Sequence, residues 1–350
     1  MAEPVGFALV GLGYGATRCQ MLAETPTARL AAVVDANAER AREYGERYDV
    51  PWFTDVSGAL TRDDVDVVGI YTPSGLHLDL AAAVANAGKH VLLTKPMEVN
   101  LARSDAIADT CADAGVELFG EFYLRYYEDN WRLKNAIDSG VLGRLILGEF
   151  GFKCFRPDEY YRSDGAWRQT WELNGGGVVM NQAIHAIDKL TWCMGEVESV
   201  HAVTGTYAHD IPVEDTAVAA LTLRSGAMAV LVATSTFRTT SGMDDIYGGG
   251  FTTRAEVNGD RGSLSLLDDV LTMEKFDQGS LGRFDGKPLN VFDDIAGALT
   301  EAGYESATLA RGEQARRPVE IAMAIYDSAR AGKPVRISDY RRDAVGEALT

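Results

Sequence analysis

The chain has few cysteines, no excess of basic residues and no long apolar run, and each shortage excludes a class of protein. Its four cysteines form no C-x-x-C pair and no ligand cluster, so neither a disulfide framework nor a metal site is expected. No stretch resembles a signal peptide or reaches the length of a membrane span, so we expect a soluble cytoplasmic protein that does not associate with membranes. The formal net charge of −18 argues against binding to nucleic acid or to an anionic membrane surface.

The order of the predicted elements indicates two domains. A chain of 350 residues is long enough for about two domains, and strands alternate with helices as far as residue 121. Strands are predicted at residues 5–10, 30–34, 65–71, 90–94 and 116–119, with helices at 17–24, 77–87 and 101–114. This alternation predicts an α/β domain over residues 1–121, built on a doubly wound parallel sheet.

Beyond residue 121 the pattern changes from alternation to a series of strands. They are predicted at residues 144–155, 197–207, 216–223, 227–235, 254–258 and 263–267, after a helix at 130–139. Short connections between them favour a large, open, mostly antiparallel sheet. A helical segment ending near residue 188 and a helix at 317–331 would cover one face of that sheet. We therefore predict a second α/β domain over residues 122–350, whose uncovered apolar face favours an oligomer.

A glycine-rich turn follows the first predicted strand. It reads Gly11-Leu12-Gly13-Tyr14-Gly15-Ala16 and leads into a helical segment. Gly11 permits the turn, Gly13 lets the backbone approach a pyrophosphate, and the small Ala16 allows close packing of helix on strand. The helix N-terminus then offers amide groups and the positive end of its dipole to the phosphates. The turn predicts a dinucleotide site, the alternative being a glycine turn in another kind of doubly wound domain.

Asp35 ends the second predicted strand, at the distance from the glycine turn that a dinucleotide site requires. Its carboxylate can accept hydrogen bonds from both hydroxyls of the adenosine ribose, and its charge would repel a 2′-phosphate. We therefore predict NAD as the cofactor, with NADP as the less favoured alternative.

A second glycine-rich segment, from Gly175 to Asp188, carries candidate proton-transfer residues. It reads GGGVVMNQAIHAID, and its glycines give the backbone freedom where a side chain would obstruct a ligand or a tight turn. Asn181, His185 and Asp188 are spaced i, i+4 and i+7, which predicts that they share one face of an α-helix. A histidine between an amide and a carboxylate favours general acid–base chemistry. The alternative is a buried histidine that its neighbours satisfy and that caps a helix turn.

Lys95 comes directly after the predicted strand at residues 90–94, at the edge of the sheet where ligands of open α/β sheets bind. A lysine held near a nicotinamide can donate a hydrogen bond to a substrate hydroxyl and stabilise developing alkoxide charge. The alternative is an ordinary solvated lysine at the end of a strand.

Five motifs together resemble the Gfo/Idh/MocA oxidoreductase family. They are the glycine turn, Thr72-Pro73-Ser74-Gly75-Leu76-His77, Gly88-Lys89-His90-Val91, Lys95-Pro96 and the segment from Gly175 to Asp188. The resemblance extends over essentially the whole chain, in order. It implies a Rossmann domain followed by an open-sheet α/β domain, with the active site between them. It also implies a homodimer or homotetramer that packs sheet on sheet.

The resemblance assigns roles to individual residues. It implies that Lys95, Asn181 and His185 are catalytic and that Tyr123 lies beside the cofactor, where the chain crosses between the domains. We predict that the substrate site consists of Lys95, Tyr123, Arg125, Asn181 and His185, and that Arg125 or Arg168 could bind a phosphorylated or nucleotide-linked sugar. The Trp167-Arg168 pair resembles a segment that reaches the nicotinamide in many members. With the glycine turn, the cofactor site then consists of Gly11, Leu12, Gly13, Tyr14, Gly15, Asp35, Thr72, Pro73, Ser74, His77, Thr94, Lys95, Trp167 and Arg168.

Two residues depart from the family pattern. Thr94 stands where a glutamate commonly precedes the Lys-Pro pair, which removes a carboxylate expected at the nicotinamide ribose. Asn181 stands where the family often has aspartate; an asparagine can orient His185 or a substrate hydroxyl but cannot ionise.

We therefore predict an enzyme that transfers a hydride between NAD and a ring hydroxyl or ketone of a sugar, glycoside or cyclitol. His185 would serve as general acid and base, Lys95 would polarise the substrate oxygen, and Asn181 would position both. Two alternatives remain open at this stage. One is a glycoside-cleaving enzyme that oxidises its substrate transiently before elimination, and the other is an NAD-binding sensor without turnover.

Overall fold

The computed structural model describes residues 3–238, 250–276 and 290–340. The chain divides into two compact units, one of residues 1–126 with 287–316 and one of residues 127–286 with 317–350. The sequence predicted a single boundary after residue 121, whereas the chain returns to the first unit after residue 286. The predicted domain 122–350 also includes residues 239–249, 277–289 and 341–350, which lie outside the described residues.

The first unit contains a seven-stranded sheet with helices on its connections. Numbered along the chain, its strands are β1 Val5–Val10, β2 Ala28–Val34, β3 Trp52–Phe53, β4 Val67–Ile70, β5 His90–Thr94, β6 Leu118–Glu121 and β14 Ala310–Arg311. They lie in the order β14-β6-β5-β4-β1-β2-β3, and only the short β14 runs antiparallel to its neighbour. All six residues of β1 are buried, as in a parallel strand covered on both faces. The predicted doubly wound parallel sheet is confirmed.

The helices of the first unit follow the predicted pattern with small changes at their ends. They are α1 Ala16–Ala23, α2 Ala38–Tyr48, α3 Val56–Leu60, α4 His77–Asn86, α5 Leu101–Asp113 and α10 Val291–Thr300, with 3₁₀ turns at Ser74–Leu76 and Tyr123–Tyr126. The sequence did not predict α10, which packs into the core through an edge-to-face contact between Phe292 and Phe7. Buried Asp294 accepts hydrogen bonds from Tyr304 and Thr308 and so fixes the returning segment.

The second unit contains an eight-stranded sheet in the order β13-β12-β11-β7-β10-β9-β8-β15. Its strands are β7 Leu145–Cys154, β8 Val197–Gly205, β9 Thr216–Leu223, β10 Met228–Thr234, β11 Phe251–Gly259, β12 Gly262–Leu267, β13 Val270–Phe276 and β15 Val335–Arg336. Only the pair β7 and β10 is parallel. The predicted open and mostly antiparallel sheet is therefore confirmed.

The helices of this unit are α6 Glu128–Asp138, α7 Asp158–Arg162, α8 Trp171–Asn174 and α9 Ile184–Met194, with 3₁₀ turns at Asp164–Gln169 and Ile337–Tyr340 and a π-helix at Val179–Ala183. A last helix, α11 Gly312–Ala331, begins five residues before the predicted start at residue 317.

The two faces of the second sheet differ in their cover. Helix α9 packs on β7 and β11, and the Ala202 amide on β8 donates to Ser328 of α11 at 3.0 Å. The other face presents apolar side chains to solvent, among them Val203, Val218 and Met228 with 49–64 % of their surface exposed. Within the described ranges, none of the helices is both long and apolar enough to cross a membrane.

Candidate active site

The glycine turn between β1 and α1 leaves room beside its backbone. Gly11 has a φ of +89°, and a Cβ built on it would lie 2.8 Å from the Tyr71 carbonyl oxygen, so the turn requires glycine there. A Cβ built on Gly13 meets no atom within 4 Å. No side chain caps the N-terminus of α1, whose N-cap is Gly15. The open space and the uncapped amides fit the pyrophosphate of a dinucleotide.

Asp35 lies at the end of β2 and is bound directly to the glycine turn. Its carboxylate accepts from the Leu12 amide at 2.8 Å and from the Asn37 amide at 2.8 Å. The Arg40 guanidinium lies 3.0 Å from the same carboxylate and is about half exposed. Arg40 was not predicted from the sequence; its charge partly offsets the repulsion that Asp35 alone would exert on a 2′-phosphate.

The loop after β4 is held by His77 from inside the protein. Thr72 and Pro73 precede the 3₁₀ turn that begins at buried Ser74. The ring nitrogens of His77 lie 3.1 Å from the carbonyl oxygens of Met97 and Thr72, and the side chain is fully buried. Burial lowers the pKa of His77. The ring of His77 joins the Thr72 loop to the loop after Lys95, and its contact with the cofactor stays a prediction.

Lys95 follows Thr94 at the end of β5, and the Lys95–Pro96 peptide bond is cis. The next loop is fixed by buried Glu98, which accepts from the Arg103 guanidinium at 2.8 Å. Strands β1, β2, β4 and β5 are parallel neighbours. The glycine turn, Asp35, Thr72 and Lys95 therefore lie along one edge of one sheet, as predicted for a ligand site at the carboxyl ends of the strands.

A buried ion pair that the sequence analysis did not predict links α1 to the end of β6. The Arg18 guanidinium lies 2.7 Å from the Glu121 carboxylate, and both side chains are at least nine-tenths buried. Arg18 also donates to the Tyr14 hydroxyl at 2.8 Å and stacks on that ring at 4.5 Å. The pair fixes the helix that follows the glycine turn. No sequence motif marks it, because its partners are 103 residues apart.

Tyr123 and Arg125 lie in the 3₁₀ turn that follows β6. Arg125 is 3 % exposed and donates to the Thr308 carbonyl oxygen and to the Gln314 side chain at 3.3 and 3.2 Å. These bonds hold the segment that returns to the first unit. They give Arg125 a structural role, and its predicted substrate contact stays a prediction.

The segment that carries Asn181 and His185 is not one α-helix. Residues Val179–Ala183 form a π-helix, and α9 begins at Ile184. The expected single α-helix is therefore corrected to a π-helix that leads into α9, and the alignment of the Asn181 and His185 side chains stays a prediction. His185 and Asp188 both lie on α9, three residues apart, and so share a face as predicted. Short π-helices occur frequently at functional sites.

Asn181 lies at the centre of a hydrogen-bonded cluster. Its oxygen accepts from the Tyr160 hydroxyl at 2.9 Å, and its nitrogen donates to the Asn174 side-chain oxygen at 2.7 Å. Asn174 uses its own nitrogen to donate to the carbonyl oxygens of Arg168 and Gly176. The Asn174 oxygen therefore faces position 181 and requires a donor there. This requirement explains asparagine instead of aspartate at position 181.

His185 is the second residue of α9 and is 4 % exposed. Its ring stacks on Phe152 of β7, with centroids 6.1 Å apart, and Phe152 in turn stacks on Phe251. The aromatic stack restricts the imidazole to one plane. A defined ring plane is what a proton-transfer group needs, because proton transfer depends on hydrogen-bond geometry.

Trp167 and Arg168 are joined to the same cluster. The Arg168 guanidinium lies 4.8 Å from the centroids of both the Tyr160 and Trp167 rings, and it donates to Asp164 at 2.9 Å. Arg168 and Asn181 thus share Tyr160 as a neighbour. Tyr160 and Asn174 were not predicted from the sequence; the position of Asn174 directly before the glycines was the one available signal.

The glycines at 175–177 pack against the protein itself. A Cβ on Gly176 would lie 2.0 Å from the Tyr326 hydroxyl oxygen, and a Cβ on Gly177 would lie 1.8 Å from the Glu214 carbonyl oxygen. These glycines were interpreted as leaving room for a ligand or a tight turn. Two of them instead leave room for Tyr326 and Glu214.

The predicted site residues are divided between the two units. The first unit carries the glycine turn, Asp35, Thr72, Pro73, Ser74, His77, Thr94, Lys95, Tyr123 and Arg125, and the second carries Trp167, Arg168, Asn181 and His185. Among the described residues, no group of three or more His, Cys, Asp or Glu side chains is arranged to hold a metal ion.

Both units match models of one protein family. Residues 5–122 match the model described as an oxidoreductase family with an NAD-binding Rossmann fold. Residues 131–265 match the model of the Gfo/Idh/MocA C-terminal domain.

Known proteins similar to this chain include dehydrogenases of sugars and of inositol. The WlbA dehydrogenase of Bordetella pertussis, solved in complex with NADH and UDP-GlcNAcA, has 31 % sequence identity and a TM-score of 0.83, covering 95 % of this chain and 99 % of that one. The myo-inositol 2-dehydrogenase of Thermotoga maritima is 30 % identical, over 78 % of this chain and 79 % of that protein.

A levoglucosan dehydrogenase of Pseudarthrobacter phenanthrenivorans is 26 % identical over 71 % of this chain. The chain spans about half the length, 56 %, of that curated relative, and it spans 56 % of Oxidoreductase P35 of Formosa agariphila.

Proposed function

This chain belongs to the Gfo/Idh/MocA family of oxidoreductases, and on that premise we propose that it transfers a hydride between NAD and a ring carbinol of a sugar, glycoside or cyclitol. The observation that carries the proposal is the position of Lys95 on the same sheet edge as the glycine turn and Asp35. Relatives that act on inositol and on anhydrosugars support the substrate class.

In the oxidation direction, His185 accepts the proton of the substrate hydroxyl as general base. Lys95 donates a hydrogen bond to the same oxygen and stabilises the negative charge that grows on it. The nicotinamide, when bound, supplies the acceptor for the hydride that leaves the carbinol carbon. In the reverse direction His185 returns the proton to the ketone oxygen.

The roles of Asn181 and of its neighbours follow from their contacts. Asn181 is fixed by Tyr160 and Asn174, so its amide can orient a substrate hydroxyl without changing its own position. The Arg168 guanidinium lies over the rings of both Tyr160 and Trp167, which supports a place for Trp167 and Arg168 in the wall of the substrate site. Tyr123 lies on the first unit beside Arg18 and would contact the nicotinamide end of a bound cofactor.

The cofactor is NAD in this proposal, because a carboxylate at the end of β2, such as that of Asp35, can accept hydrogen bonds from the ribose hydroxyls. Arg40 lies against that carboxylate, so discrimination against NADP is moderate. The chain works as a homodimer or homotetramer that buries the exposed apolar face of its second sheet. A cytoplasmic location remains an expectation from the sequence.

The test is to incubate the protein with NAD and a panel of sugars, sugar acids, nucleotide-linked sugars, glycosides and inositols, and to follow absorbance in the NADH band. The proposal predicts NADH formation with at least one ring carbinol and its loss in Lys95→Ala. Release of free sugar from a glycoside without net formation of NADH would instead indicate a glycoside-cleaving enzyme that works by transient oxidation and elimination. Tight NAD binding with no turnover of any compound would indicate a sensor.

A further inference from the structure

Three consecutive backbone amides at the start of the His185-bearing segment all donate to one residue. The Gly177 and Val179 amides donate to the Glu214 carboxylate at 2.8 and 2.9 Å. The Val178 amide between them donates to the Glu214 carbonyl oxygen at 3.0 Å. Glu214 therefore satisfies donors that a helix start leaves without intrahelical partners.

The Glu214 carboxylate is buried in the protein. Glu214 is 6 % exposed, and the Tyr326 hydroxyl of α11 donates to it at 2.9 Å. Burial raises the pKa of Glu214, and the bonds from the Val179 and Gly177 amides oppose that shift. Burial of a carboxylate costs free energy unless several hydrogen-bond donors surround it. Here the donors are the Gly177 amide, the Val179 amide and the Tyr326 hydroxyl.

No loop separates the residues that bind Glu214 from His185. The Asn181 amide donates to the Gly177 carbonyl oxygen at 3.0 Å, the π-helix runs to Ala183, and His185 follows on α9. A change in the direction of the first turn is therefore transmitted along a continuous helical backbone to both side chains.

From these contacts we propose that Glu214 is a positioning residue for the proton-transfer group. Its side chain fixes the entry of the π-helix and thereby sets where Asn181 and His185 point. The role of His185 as the proton-transfer group rests on the proposed function. The position of His185 rests on the hydrogen bonds between Glu214 and the start of its segment. Glu214 acts only through the backbone of residues 177–179.

The chemistry requires a carboxylate at position 214. Its two oxygens accept from different amides, Oε2 from Gly177 and Oε1 from Val179. A glutamine retains one acceptor and turns an NH₂ group towards the other amide, which leaves that buried donor without an acceptor. The negative charge also favours the N-terminal end of the helix dipole. Glu214→Gln is thus nearly isosteric and removes the interaction in question.

Asp215 supplies a matched control in the next residue. It is fully buried and accepts from the Tyr207 and Ala208 amides at 3.0 and 2.8 Å, so Asp215→Asn also disturbs a buried carboxylate bound to backbone amides. Those amides belong to the loop after β8 and not to the His185 segment. Both variants are expected to lower Tm, and only Glu214→Gln is expected to disturb catalysis.

The first readout is steady-state kinetics at a temperature where both variants are folded. In Glu214→Gln, kcat is expected to fall about 10- to 100-fold, as for a reacting group displaced by around 1 Å. KM for NAD and the Kd for NADH should change by less than about twofold, because the glycine turn lies in the other unit. An equal loss of kcat in Asp215→Asn, or an unchanged kcat in Glu214→Gln, would overturn the proposal.

The second readout needs no turnover, so it separates this proposal from the proposed function. The chain has five histidines, and their imidazole resonances can be followed by NMR in histidine-labelled protein, with His185→Gln to assign the signal. Glu214→Gln should shift the His185 signal and its titration midpoint, and Asp215→Asn should not. If Glu214→Gln does not fold, Tyr326→Phe removes one donor and should give a smaller shift of the same signal. An unmoved His185 signal contradicts the proposal even in an active enzyme.

Discussion

Two glycine-rich segments of the molecule each lead into a helical element, but their backbones meet different partners. At the turn of residues 11–15, a Cβ on Gly13 would meet nothing within 4 Å, and no side chain caps α1. At residues 175–177, a Cβ on Gly177 would lie 1.8 Å from a backbone oxygen, and a buried carboxylate receives the following amides. The first segment has open space at Gly13, whereas the space at Gly176 and Gly177 is filled by the protein.

This difference shows that glycine before a helix has two distinct uses. In the first unit the missing side chains leave donors and space for an anionic group. In the second they let Glu214 approach the backbone closely enough to fix its direction. Substitutions in and near the two segments can therefore separate ligand binding from the positioning of His185.

Removal of the proton-transfer group should have the largest effect on turnover. His185→Ala is expected to lower kcat by about two to four orders of magnitude, the usual contribution of general acid–base catalysis. The Kd for NADH, measured by its fluorescence, should remain near the wild-type value, because the glycine turn is intact. Lys95→Ala should reduce kcat comparably and also weaken cofactor binding.

A histidine variant outside the site provides the control. His201 lies exposed on β8, and His201→Ala should leave both kcat and the Kd for NADH unchanged. Near-wild-type turnover in His185→Ala would move the proton-transfer role to Lys95 or to Tyr123.

Adding one methyl group to each glycine segment should give opposite results. Gly13→Ala is expected to keep Tm and to weaken NADH binding about tenfold or more, which corresponds to about 1.4 kcal/mol. Gly177→Ala is expected to cost about 3 kcal/mol of folding stability, because the new Cβ overlaps a backbone oxygen that cannot move freely. Calorimetry and NADH titration of both variants check the pair. A stable Gly177→Ala variant with weakened NADH binding would mean that the second segment also faces a ligand.

The charge at the adenosine end of the site should set cofactor preference. Asp35→Ser is expected to shift the ratio of kcat/KM values towards NADP by about tenfold, because it removes repulsion and releases Arg40 for a 2′-phosphate. The double variant Asp35→Ser with Arg40→Ala should lose that gain. If the wild-type protein already uses NADP as well as NAD, Asp35 does not have the proposed role.

Restoring the commoner family residue at position 181 should have a smaller effect. In Asn181→Asp the added carboxylate should raise the pKa of the histidine and move the pH–rate profile upward. The same change removes the donor to Asn174, which costs about 1–3 kcal/mol if the Asn174 oxygen is left without a partner. Kinetics from acidic to alkaline pH and a thermal melt measure the two effects separately. A profile that stays in place would show that position 181 does not influence the ionisation of His185.

The smallest expected effect is a pH dependence of stability in the first unit. Burial lowers the pKa of His77 from its ordinary value of 6.5, so below that pH the unfolded chain takes up a proton before the folded protein does. The free energy of unfolding is therefore highest, as far as His77 is concerned, above pH 6.5, and it falls as the pH drops towards the pKa of His77 in the folded protein. Thermal melts at pH 7, 6 and 5 should show a falling Tm, with a weaker slope in His77→Gln. An equal slope in both proteins would contradict this assignment.

The sequence predicted best what depends on local pattern. The two sheets, the glycine turn and the position of Lys95 at a strand end follow from runs and spacings of a few residues. The π-helix at Val179–Ala183 could not be predicted in this way, because the carboxylate that accepts from the Gly177 amide is 37 residues away in sequence. The same reason applies to the Arg18–Glu121 pair and to Asn174, which selects the residue at position 181. Local sequence pattern therefore identifies the residues of the site. Their orientation depends on contacts between residues that are distant in sequence, which local pattern does not show.

Hydride transfer itself can be measured most directly with a substrate that carries deuterium on the carbinol carbon. After a single turnover with NAD, we expect deuterium at C4 of the nicotinamide of NADH, and none of it in water, for wild type. His185→Ala should give the same labelled product far more slowly. Deuterium that is absent from NADH, or that is released to water, would contradict the account.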